Sequence, residues 1–482
     1  MNSKIKRILD FSTAFGPSGM EDEVSKLAME DVKDICEVHD DTMRNTYMHF
    51  KQDKEHKTTI LLDAHADEVG FIVQAIKPNG TIRFLPLGGW DPKNIVSGEV
   101  WILNDKGEKI SGIVASQPVH FLSEAKRNGK VDFDDLVIDV GATSATEVKE
   151  DFHISVGNFM CPAVTCKYDE AHKIFLGKAF DCRIGCAAVM DVLHQLKDVN
   201  HNIEATLTTQ EEVGERGMDT AIKNLHPNIA ICFEGCPSDD TFEADYMIQS
   251  ALKKGPMLRW FDRSYITSPR FMRYAIDLAH EKDIPVQESV RKGGGTNAGI
   301  THRYNIPTII IGIPVRFAHA SFGICSEEDY DNAVKLAVEI IKNIDGYLSS
   351  LKKSRIIKEI ATYYEVCKES FSLKGFLAYS HVPFHKIYGS STWGELCMTA
   401  GAQNKVSVHC AQLKFAVTKK WLATDSFSYF SQLLKFAESG FRCDSAAFSE
   451  QEKRCAIMLY YDLYDSAGNF ASIDEMFSDL SS

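Results

Sequence analysis

Residues 58–70 read TTILLDAHADEVG, an apolar run that leads directly into acidic side chains and a histidine. Runs of four to six apolar and β-branched residues are typical of buried strands. The same pattern, a strand-like run followed by polar residues, recurs at Ala205–Thr209, Ile229–Phe233 and Thr308–Ile313. These segments predict the central strands of one sheet, with polar side chains near the carboxyl ends of those strands.

Helix-like segments lie between these strands. Apolar residues recur every four positions from Ile184 to Leu196, which is the spacing of one helix face. A second helix is predicted after Ser268, because proline stands at the first helical position. A third is predicted after a capping box formed by Ser326 and Asp329. Strands that alternate with helices predict an α/β fold, a mixed sheet flanked by helices, with ligands bound beyond the carboxyl ends of its strands.

Residues 71–165 have a different pattern. Short β-like runs joined by glycine-containing turns dominate this stretch, and only residues 123–128 favour a helix. The β-like runs are Phe71–Ile76, Thr81–Leu87, Glu99–Leu103 and Leu136–Val140. We therefore expect a small β-rich domain inserted into a discontinuous catalytic domain formed by residues 1–70 and 166–350. Residues 351–482 carry 15 basic and 14 acidic side chains, so the net negative charge belongs to the first 350 residues. This break in composition predicts a C-terminal extension, whose function the pattern does not indicate.

Composition excludes several functional classes. The 482 residues include 53 basic and 67 acidic side chains, a net charge of −14. Because phosphate binding needs a basic surface, this charge argues against nucleic acid as a partner. No run of about 18 apolar residues occurs, so no membrane span is predicted. The thirteen cysteines are odd in number and include no Cys-x-x-Cys pair, which favours free thiols in the cytoplasm over disulfides.

Two histidines and four carboxylates follow or adjoin the predicted strands. They are His65, Asp181, Glu211, Glu212, Glu234 and His319. Imidazole with carboxylate suits zinc, manganese or cobalt, and the lack of sulfur favours an open catalytic site over a closed structural one. Each residue taken alone is more often solvent-exposed than functional, so the prediction depends on their meeting at one edge of the sheet. Thiolate ligation by nearby cysteines is the alternative, although such unpaired cysteines are more typical of buried apolar positions.

Several segments resemble the tetrahedral, or TET-type, metallo-aminopeptidases, a family that includes glutamyl and deblocking aminopeptidases and members labelled endoglucanase. Residues 63–70 (DAHADEVG) resemble the family's His-x-Asp-Glu-(Ile/Val)-Gly motif, and residues 209–217 (TQEEVGERG) resemble its Gln-Glu-Glu-Val-Gly-x-Arg-Gly segment. Further matches occur in the family's order at Gly16–Gly19, Gly88–Asp91, Gly177–Gly185, Gly293–Thr296 and Gly312–His319. The resemblance covers about residues 5–348 and stops before the C-terminal extension.

The resemblance implies an aminopeptidase that removes N-terminal residues from peptides with the help of two divalent ions. The ligands it implies are His65 and Glu234 for one ion, Glu212 and His319 for the other, and Asp181 bridging both. Glu211 would be the general base, and Asp67 would hydrogen-bond to His65. The ions would be zinc, with cobalt or manganese as alternatives. The family's usual assembly implies a homo-oligomer of up to twelve subunits, built from dimers that form through the β-rich insertion.

Three positions depart from the family pattern. Cys182 stands where an aspartate usually follows the bridging one, Asn297 where Gly-Gly-Thr is usually followed by Asp, and Ala320 where Ser or Thr usually follows the ligand histidine. These departures keep a non-catalytic or weakly active scaffold on the same fold as the alternative to an enzyme. A glycosidase that acts through paired carboxylates is a third hypothesis, and its mechanism needs no metal.

Overall fold

The computed structural model describes residues 2–51, 58–124 and 129–367. The chain divides into two units, Met1–Ile344 and Asp345–Ser482. Most of the predicted C-terminal extension, and residues 125–128 of the predicted helix at 123–128, lie outside the described residues. Within the described residues, no helix is both long enough and apolar enough to cross a membrane.

The first unit contains both helices and strands. Its helices are α1 (Ser3–Thr13), α2 (Asp22–Val32), α3 (Ala145–Glu150), α4 (Phe180–Leu196), α5 (Arg216–Ala221), α6 (Pro269–Glu281) and α7 (Asn297–Arg303), and α8 (Glu327–Cys367) begins in this unit. Its first nine strands are β1 (Cys36–Asp40), β2 (Thr46–Phe50), β3 (Thr59–His65), β4 (Gly70–Ile76), β5 (Ile82–Leu87), β6 (Glu99–Leu103), β7 (Lys109–Ala115), β8 (Val137–Asp139) and β9 (Phe159–Pro162). The later strands are β10 (Lys167–Asp169), β11 (Ile174–Gly177), β12 (Asn202–Thr208), β13 (Ile229–Pro237), β14 (Met257–Phe261), β15 (Gln287–Val290), β16 (Thr308–Arg316) and β17 (Gly323–Ser326).

The larger sheet has eleven strands, and four parallel strands lie at its centre. Its main order is β1-β2-β12-β3-β13-β16-β17-β11-β10, with β14 and β15 joined to β16. Neighbours β12, β3, β13 and β16 run parallel, whereas β2 and β17 flank them antiparallel. The predicted mixed sheet is therefore confirmed, and the carboxyl ends of the four predicted strands meet at one edge.

Helices cover both faces of this sheet. On one face, Gly185 of α4 packs against Ala64, near the end of β3, and Phe233, in the middle of β13. On the other face, Leu61 and its neighbour on β13 belong to a buried apolar cluster with residues of α5 and α7. Because successive strand residues point to opposite faces, Leu61, residue 63 and residue 65 share the face that α7 covers. The sheet is consequently buried on both sides, as a central parallel region requires.

The strands β4 to β9 form a closed six-stranded barrel around a separate apolar core that includes Phe71, Ile82 and Met160. The sequence pattern missed two of these strands, β7 and β9, and it also missed α3. The expectation that only residues 123–128 favour a helix in this stretch is therefore wrong. Helix α3 has six residues, so it is too short for its apolar spacing to be visible, although Ser144 caps it by accepting from the Glu147 amide at 3.2 Å.

Helix α6 begins at Pro269 as predicted. The predicted capping box, in which Ser326 and Asp329 would both bind the start of the last helix, is wrong. The Ser326 hydroxyl accepts a hydrogen bond from the amide of Glu328 at 3.2 Å. The carboxylate of Asp329 instead accepts from the amides of Lys253 and Gly255, each at 2.7 Å. A distant loop therefore binds the side chain that the local pattern assigned to the helix terminus.

Candidate active site

Most of the predicted site residues lie at the carboxyl edge of the four central parallel strands. His65 ends β3, Glu234 lies in the second half of β13, and Glu211 and Glu212 follow β12. His319 stands three residues beyond the end of β16. Because parallel neighbours end at the same edge, side chains far apart in sequence converge there.

Asp181 lies between the two histidines. It belongs to the first turn of α4, which follows β11, and its peptide bond to Cys182 is cis. Its Oδ1 lies 3.1 Å from Nε2 of His65. Its Oδ2 lies 3.3 Å from Nε2 of His319. One carboxylate oxygen thus faces each histidine.

Each histidine has a second carboxylate beside it. Nε2 of His65 lies 3.6 Å from Oε2 of Glu234 and 4.0 Å from Oε2 of Glu211. Nε2 of His319 lies 3.3 Å from Oε1 of Glu212. In three groups, one donor atom from each residue lies within 4.8 Å of the donor atoms of the other members: His65 with Asp181, Cys182 and Glu234; His65 with Glu211 and Glu212; and Asp181 with Glu212 and His319. The predicted ligands therefore converge.

The electrostatics of this cluster fit divalent cations. Burial raises the pKa of Glu211 well above its ordinary value, and it also raises the pKa of Glu212 and Glu234. Burial acts in the same direction on Asp181, but hydrogen bonds with His319 and His65 hold the pKa of Asp181 well below its usual range. Several carboxylates gathered away from water repel one another, and bound cations relieve that repulsion. Nitrogen and oxygen donors of this kind suit zinc, cobalt or manganese.

Asp67 organises the loop segments around the cluster and is fully buried. Its Oδ1 lies 3.3 Å from Nδ1 of His65. Its two oxygens also accept hydrogen bonds from the amides of Glu211 at 2.9 Å and Glu212 at 3.1 Å, and from the hydroxyl of Ser18 at 2.6 Å. One carboxylate therefore orients the ring of a presumed ligand and holds the backbone of two further site residues.

Two contacts at the site were not predicted. Glu21 is buried and accepts from the amides of Gly19 at 2.7 Å and Gln210 at 3.2 Å, and burial together with the charge of Asp67 raises its pKa to about 8. The carbonyl oxygen of Gly89, in a loop of the barrel, lies 2.8 Å from Nδ1 of His319. Gly89 stands in one of the family-like segments, so that resemblance was the available signal for this second contact.

The cysteines near the site are buried and free. Cys182 is fully buried, and its thiol donates to the carbonyl oxygen of Phe233 at 3.1 Å. Cys186 donates in the same way to the carbonyl oxygen of His65 at 3.1 Å. Burial raises the pKa of both thiols, to about 12 for Cys186. Both thiols therefore serve as packed hydrogen-bond donors in this structure, although Cys182 lies within reach of the first donor group.

A cavity of about 430 Å³ opens onto the cluster. Besides the acidic residues, Arg259 and Arg291 line this cavity, together with the glycine-rich loop that contains Gly293–Thr296. Arg259 is 6% exposed and donates to Asp262 at 3.1 Å and to the thiol of Cys236 at 2.9 Å. Sequence reasoning missed both arginines, because no periodicity connects them to the ligands. Nothing in the structure explains the alanine at position 320.

The chain is similar to solved structures of aminopeptidases. The chain is similar to the TET aminopeptidase of a marine-sediment Thaumarchaeota archaeon, with 32% identity and a TM-score of 0.68 over 72% of this chain and 100% of that one. It is also similar to the TET1 peptidase of Pyrococcus horikoshii, with 26% identity and a TM-score of 0.63 over 70% of this chain and 99% of that one. That peptidase can assemble into a tetrahedron or a large octahedral shell. The fold and the donor cluster thus define a metal-dependent aminopeptidase, an enzyme that hydrolyses peptide bonds.

The sequence assigns the chain to one family within this class. Residues 45–336 match the M42 glutamyl aminopeptidase family, and the chain belongs to it. It is 31% identical to the glutamyl aminopeptidase of Lactococcus lactis, across 60% of this chain and 82% of that protein. It is 29% identical to the lysyl aminopeptidase of Pyrococcus furiosus, across 68% of this chain and 94% of that protein. The resemblance stated from the motifs is therefore confirmed.

Proposed function

We propose that this aminopeptidase uses two divalent ions and a glutamate base to release N-terminal residues from peptides. The proposed ligands are His65 and Glu234 for one ion, Glu212 and His319 for the other, and Asp181 for both. The observation that carries this proposal is the position of Asp181, whose two oxygens lie 3.1 Å and 3.3 Å from the two histidines. A carboxylate placed in this way can bind one cation through each oxygen.

The proton transfers fall to Glu211. When bound, a pair of divalent ions supplies Lewis acidity toward the scissile carbonyl and lowers the pKa of an attacking water. Glu211, whose Oε2 lies 4.0 Å from Nε2 of His65, accepts the water proton and returns it to the leaving amine. Asp67 holds the ring of His65 and the amide of Glu211, so it positions the base without touching the substrate.

The arginines of the cavity favour substrates with an acidic N-terminal side chain. The named relatives differ in this respect, since one is a glutamyl and the other a lysyl aminopeptidase. Arg259 and Arg291 both line the cavity here, and each also contacts one carboxylate of the chain, Asp262 at 3.1 Å and Asp239 at 2.9 Å. Guanidinium groups in a partly dehydrated site attract carboxylates through short, charge-assisted hydrogen bonds. We therefore assign glutamyl and aspartyl peptides as preferred substrates.

Assembly and location are also proposals. The TET1 peptidase forms a dodecamer in one crystal structure and can assemble into a tetrahedron or a large octahedral shell. We propose a homo-oligomer here as well, built through the barrel formed by residues of the 71–165 insertion. Eight cysteines among the described residues are free and buried, which favours a reducing compartment such as the cytoplasm.

The Glu211→Gln substitution tests the mechanism. We expect this variant to keep its metal, because Glu211 is not among the proposed ligands, and to lose about 10²–10⁴-fold in kcat. Metal content is measured by elemental analysis, and turnover by release of the N-terminal residue from a short peptide library. Glu204→Gln, on the strand that leads to Glu211, is the matched control and should retain activity.

Three outcomes would contradict the proposal. Turnover of Glu211→Gln at the wild-type rate would refute the assignment of the base. A wild-type chain that holds no metal, or holds metal and cleaves no peptide in the library, would favour the non-catalytic scaffold. Activity on glycosides that survives complete chelation would favour the glycosidase hypothesis, because that mechanism needs no metal.

A further inference from the structure

Asp63 and Asn297 form a buried polar pair beside the candidate metal site. Nδ2 of Asn297 donates to Oδ2 of Asp63 at 2.8 Å and lies 2.7 Å from the hydroxyl of Thr208. Asp63 is 0% exposed and Asn297 is 1% exposed. A carboxylate so far from water is tolerated only when hydrogen bonds satisfy its oxygens.

Two threonines supply the other side-chain hydrogen bonds to Asp63. The hydroxyls of Thr206 and Thr208, on neighbouring strand β12, donate to Oδ1 of Asp63 at 2.8 Å and 3.3 Å. Asp63 thus accepts three hydrogen bonds from side chains, and all three donors are buried. We name these four residues, Asp63, Thr206, Thr208 and Asn297, the buried carboxylate cluster.

The buried carboxylate cluster joins the segments that carry the proposed ligands. Asp63 precedes His65 by two residues on β3 and pairs in register with Cys232 of β13, two residues before Glu234. Thr208 ends β12, three residues before Glu211. Asn297 is the first residue of α7 and follows the glycine-rich loop of the cavity. One carboxylate therefore links two strands of the site, β3 and β12, with the helix α7 that covers them.

Asn297 is also one of the departures from the family pattern, which has an aspartate at this position. An aspartate there would put a second carboxylate 2.8 Å from Asp63, and the two carboxylates would have to share a proton. The amide of Asn297 instead donates to Asp63. The cluster therefore contains one carboxylate, which belongs to β3 in this chain, whereas the family pattern places a carboxylate at the start of α7.

We propose that Asp63 supplies the carboxylate that the family carries at position 297 and that it is a positioning residue for the metal centre. This inference rests on the proposed function, because it requires that cations bind at His65 and Glu234. A buried negative charge behind these ligands attracts cations in a region of low dielectric constant, and its hydrogen bonds hold β3, β12 and α7 in register. Asp63 therefore compensates for the asparagine at position 297, so this departure from the family pattern does not indicate lost activity.

An exchange of the two side chains tests the inference through Zn²⁺ affinity. Asp63→Asn removes the only carboxylate of the cluster and should weaken Zn²⁺ binding about 10- to 100-fold, as for other groups that support metal ligands from behind. Asn297→Asp leaves two carboxylates that share one proton, so the cluster keeps one negative charge and Zn²⁺ affinity should stay within about threefold of wild type. The double variant Asp63→Asn/Asn297→Asp restores one carboxylate to the cluster and should bind Zn²⁺ within about threefold of wild type. Affinity is measured by competition of the metal-free full-length chain with a chromophoric chelator.

Asp329→Asn is the matched control. Asp329 is also fully buried and also accepts two amide hydrogen bonds, but it holds the loop at Lys253 and Gly255 and touches no proposed ligand. This variant should unfold at a lower temperature than wild type while keeping its Zn²⁺ affinity. An equal loss of affinity in Asp329→Asn would assign the effect to general destabilisation and overturn the inference.

The remaining outcomes separate this inference from the proposed function. Asp63→Asn with wild-type affinity, or a double variant no better than the weaker single one, would overturn the role of Asp63 while leaving the metal site intact. A wild-type chain that binds no Zn²⁺ would overturn the proposed function and this inference with it. Should either single variant fail to fold, Thr206→Val removes one donor to Asp63 with little change of shape, and its affinity must fall severalfold or the inference fails.

Discussion

Asp67 shows how one residue can determine the geometry of a site without binding the metal. Its carboxylate meets His65, Ser18 and the amides of Glu211 and Glu212, so it connects β3, the N-terminal segment and the loop after β12. The family motif predicted the contact with His65 alone. The other three contacts depend on the path of loops that local spacing does not describe.

The prediction on substrate preference concerns Arg259, which we propose to bind the acidic side chain of the substrate. Arg259→Gln should lower kcat/KM for peptides with N-terminal glutamate about 10- to 100-fold relative to peptides with N-terminal leucine, since a charge-assisted hydrogen bond contributes about 1.5–3 kcal/mol. The two substrates are compared in one assay, so a general loss of activity cancels from the ratio.

Arg273→Gln is the control for that comparison. Arg273 is exposed, and its guanidinium carbon lies 5.1 Å from the ring centroid of Trp260, which is not among the residues that line the cavity. This variant should keep the wild-type ratio. An unchanged ratio in Arg259→Gln would show that acidic side chains are not recognised by this arginine.

At the scale of elements, β13 and the start of α4 approach unusually closely. A Cβ atom built on Gly235 would lie 2.3 Å from the carbonyl oxygen of Phe180 and 2.7 Å from the Cα of Asp181. Both are backbone atoms, so they cannot rotate away as a flexible side chain could. Glycine at this position therefore allows Glu234 and Asp181 to lie side by side.

Gly235→Ala should consequently separate β13 from α4. We expect a loss of about 1–3 kcal/mol in the free energy of unfolding, the usual cost of overpacking, together with weaker metal binding. Chemical denaturation and chelator competition measure the two effects. Gly346→Ala, in helix α8 with no heavy atom within 4 Å of the added methyl group, should instead raise stability by up to about 1 kcal/mol. Equal stability of the two variants would contradict the close approach.

The barrel formed by β4 to β9 contributes a contact to the candidate site. Its loop brings the carbonyl oxygen of Gly89 to His319, so the insertion takes part in the site as well as forming a core of its own. The sequence revealed its β character, because turns at glycine interrupt short apolar runs. It did not reveal β7, β9 or α3, since short elements contain too few residues to establish a period.

At the scale of the whole molecule, stability should depend on the bound ions. The cluster gathers Asp181, Glu211, Glu212 and Glu234 in a mostly buried region, and their repulsion is relieved only by cations or by protons. A ligand present at about 100 times its Kd adds about 2.7 kcal/mol to the stability of the folded chain. Removal of the metal should therefore lower the unfolding temperature by a few degrees, as measured by scanning calorimetry.

Addition of Zn²⁺ after chelation should restore the original unfolding temperature. The Glu211→Gln variant should show the same dependence, because the proposed ligands remain. A chain that contains metal by elemental analysis, yet unfolds at the same temperature before and after chelation, would show that the ions bind elsewhere or contribute nothing to folding.

The sequence by itself determined the class of fold, the four central strands and the donor residues at their ends. This was possible because strand and helix periods depend on neighbours a few positions apart, and because the family-like segments contain the proposed ligands. Only the tertiary structure decided which oxygen of Asp181 faces which histidine, that Arg259 reaches the cavity, and that Asn297 donates to Asp63 across 234 positions of sequence. Such contacts depend on the order of the strands in the sheet and on the packing of the helices, and no local sequence pattern predicts that arrangement.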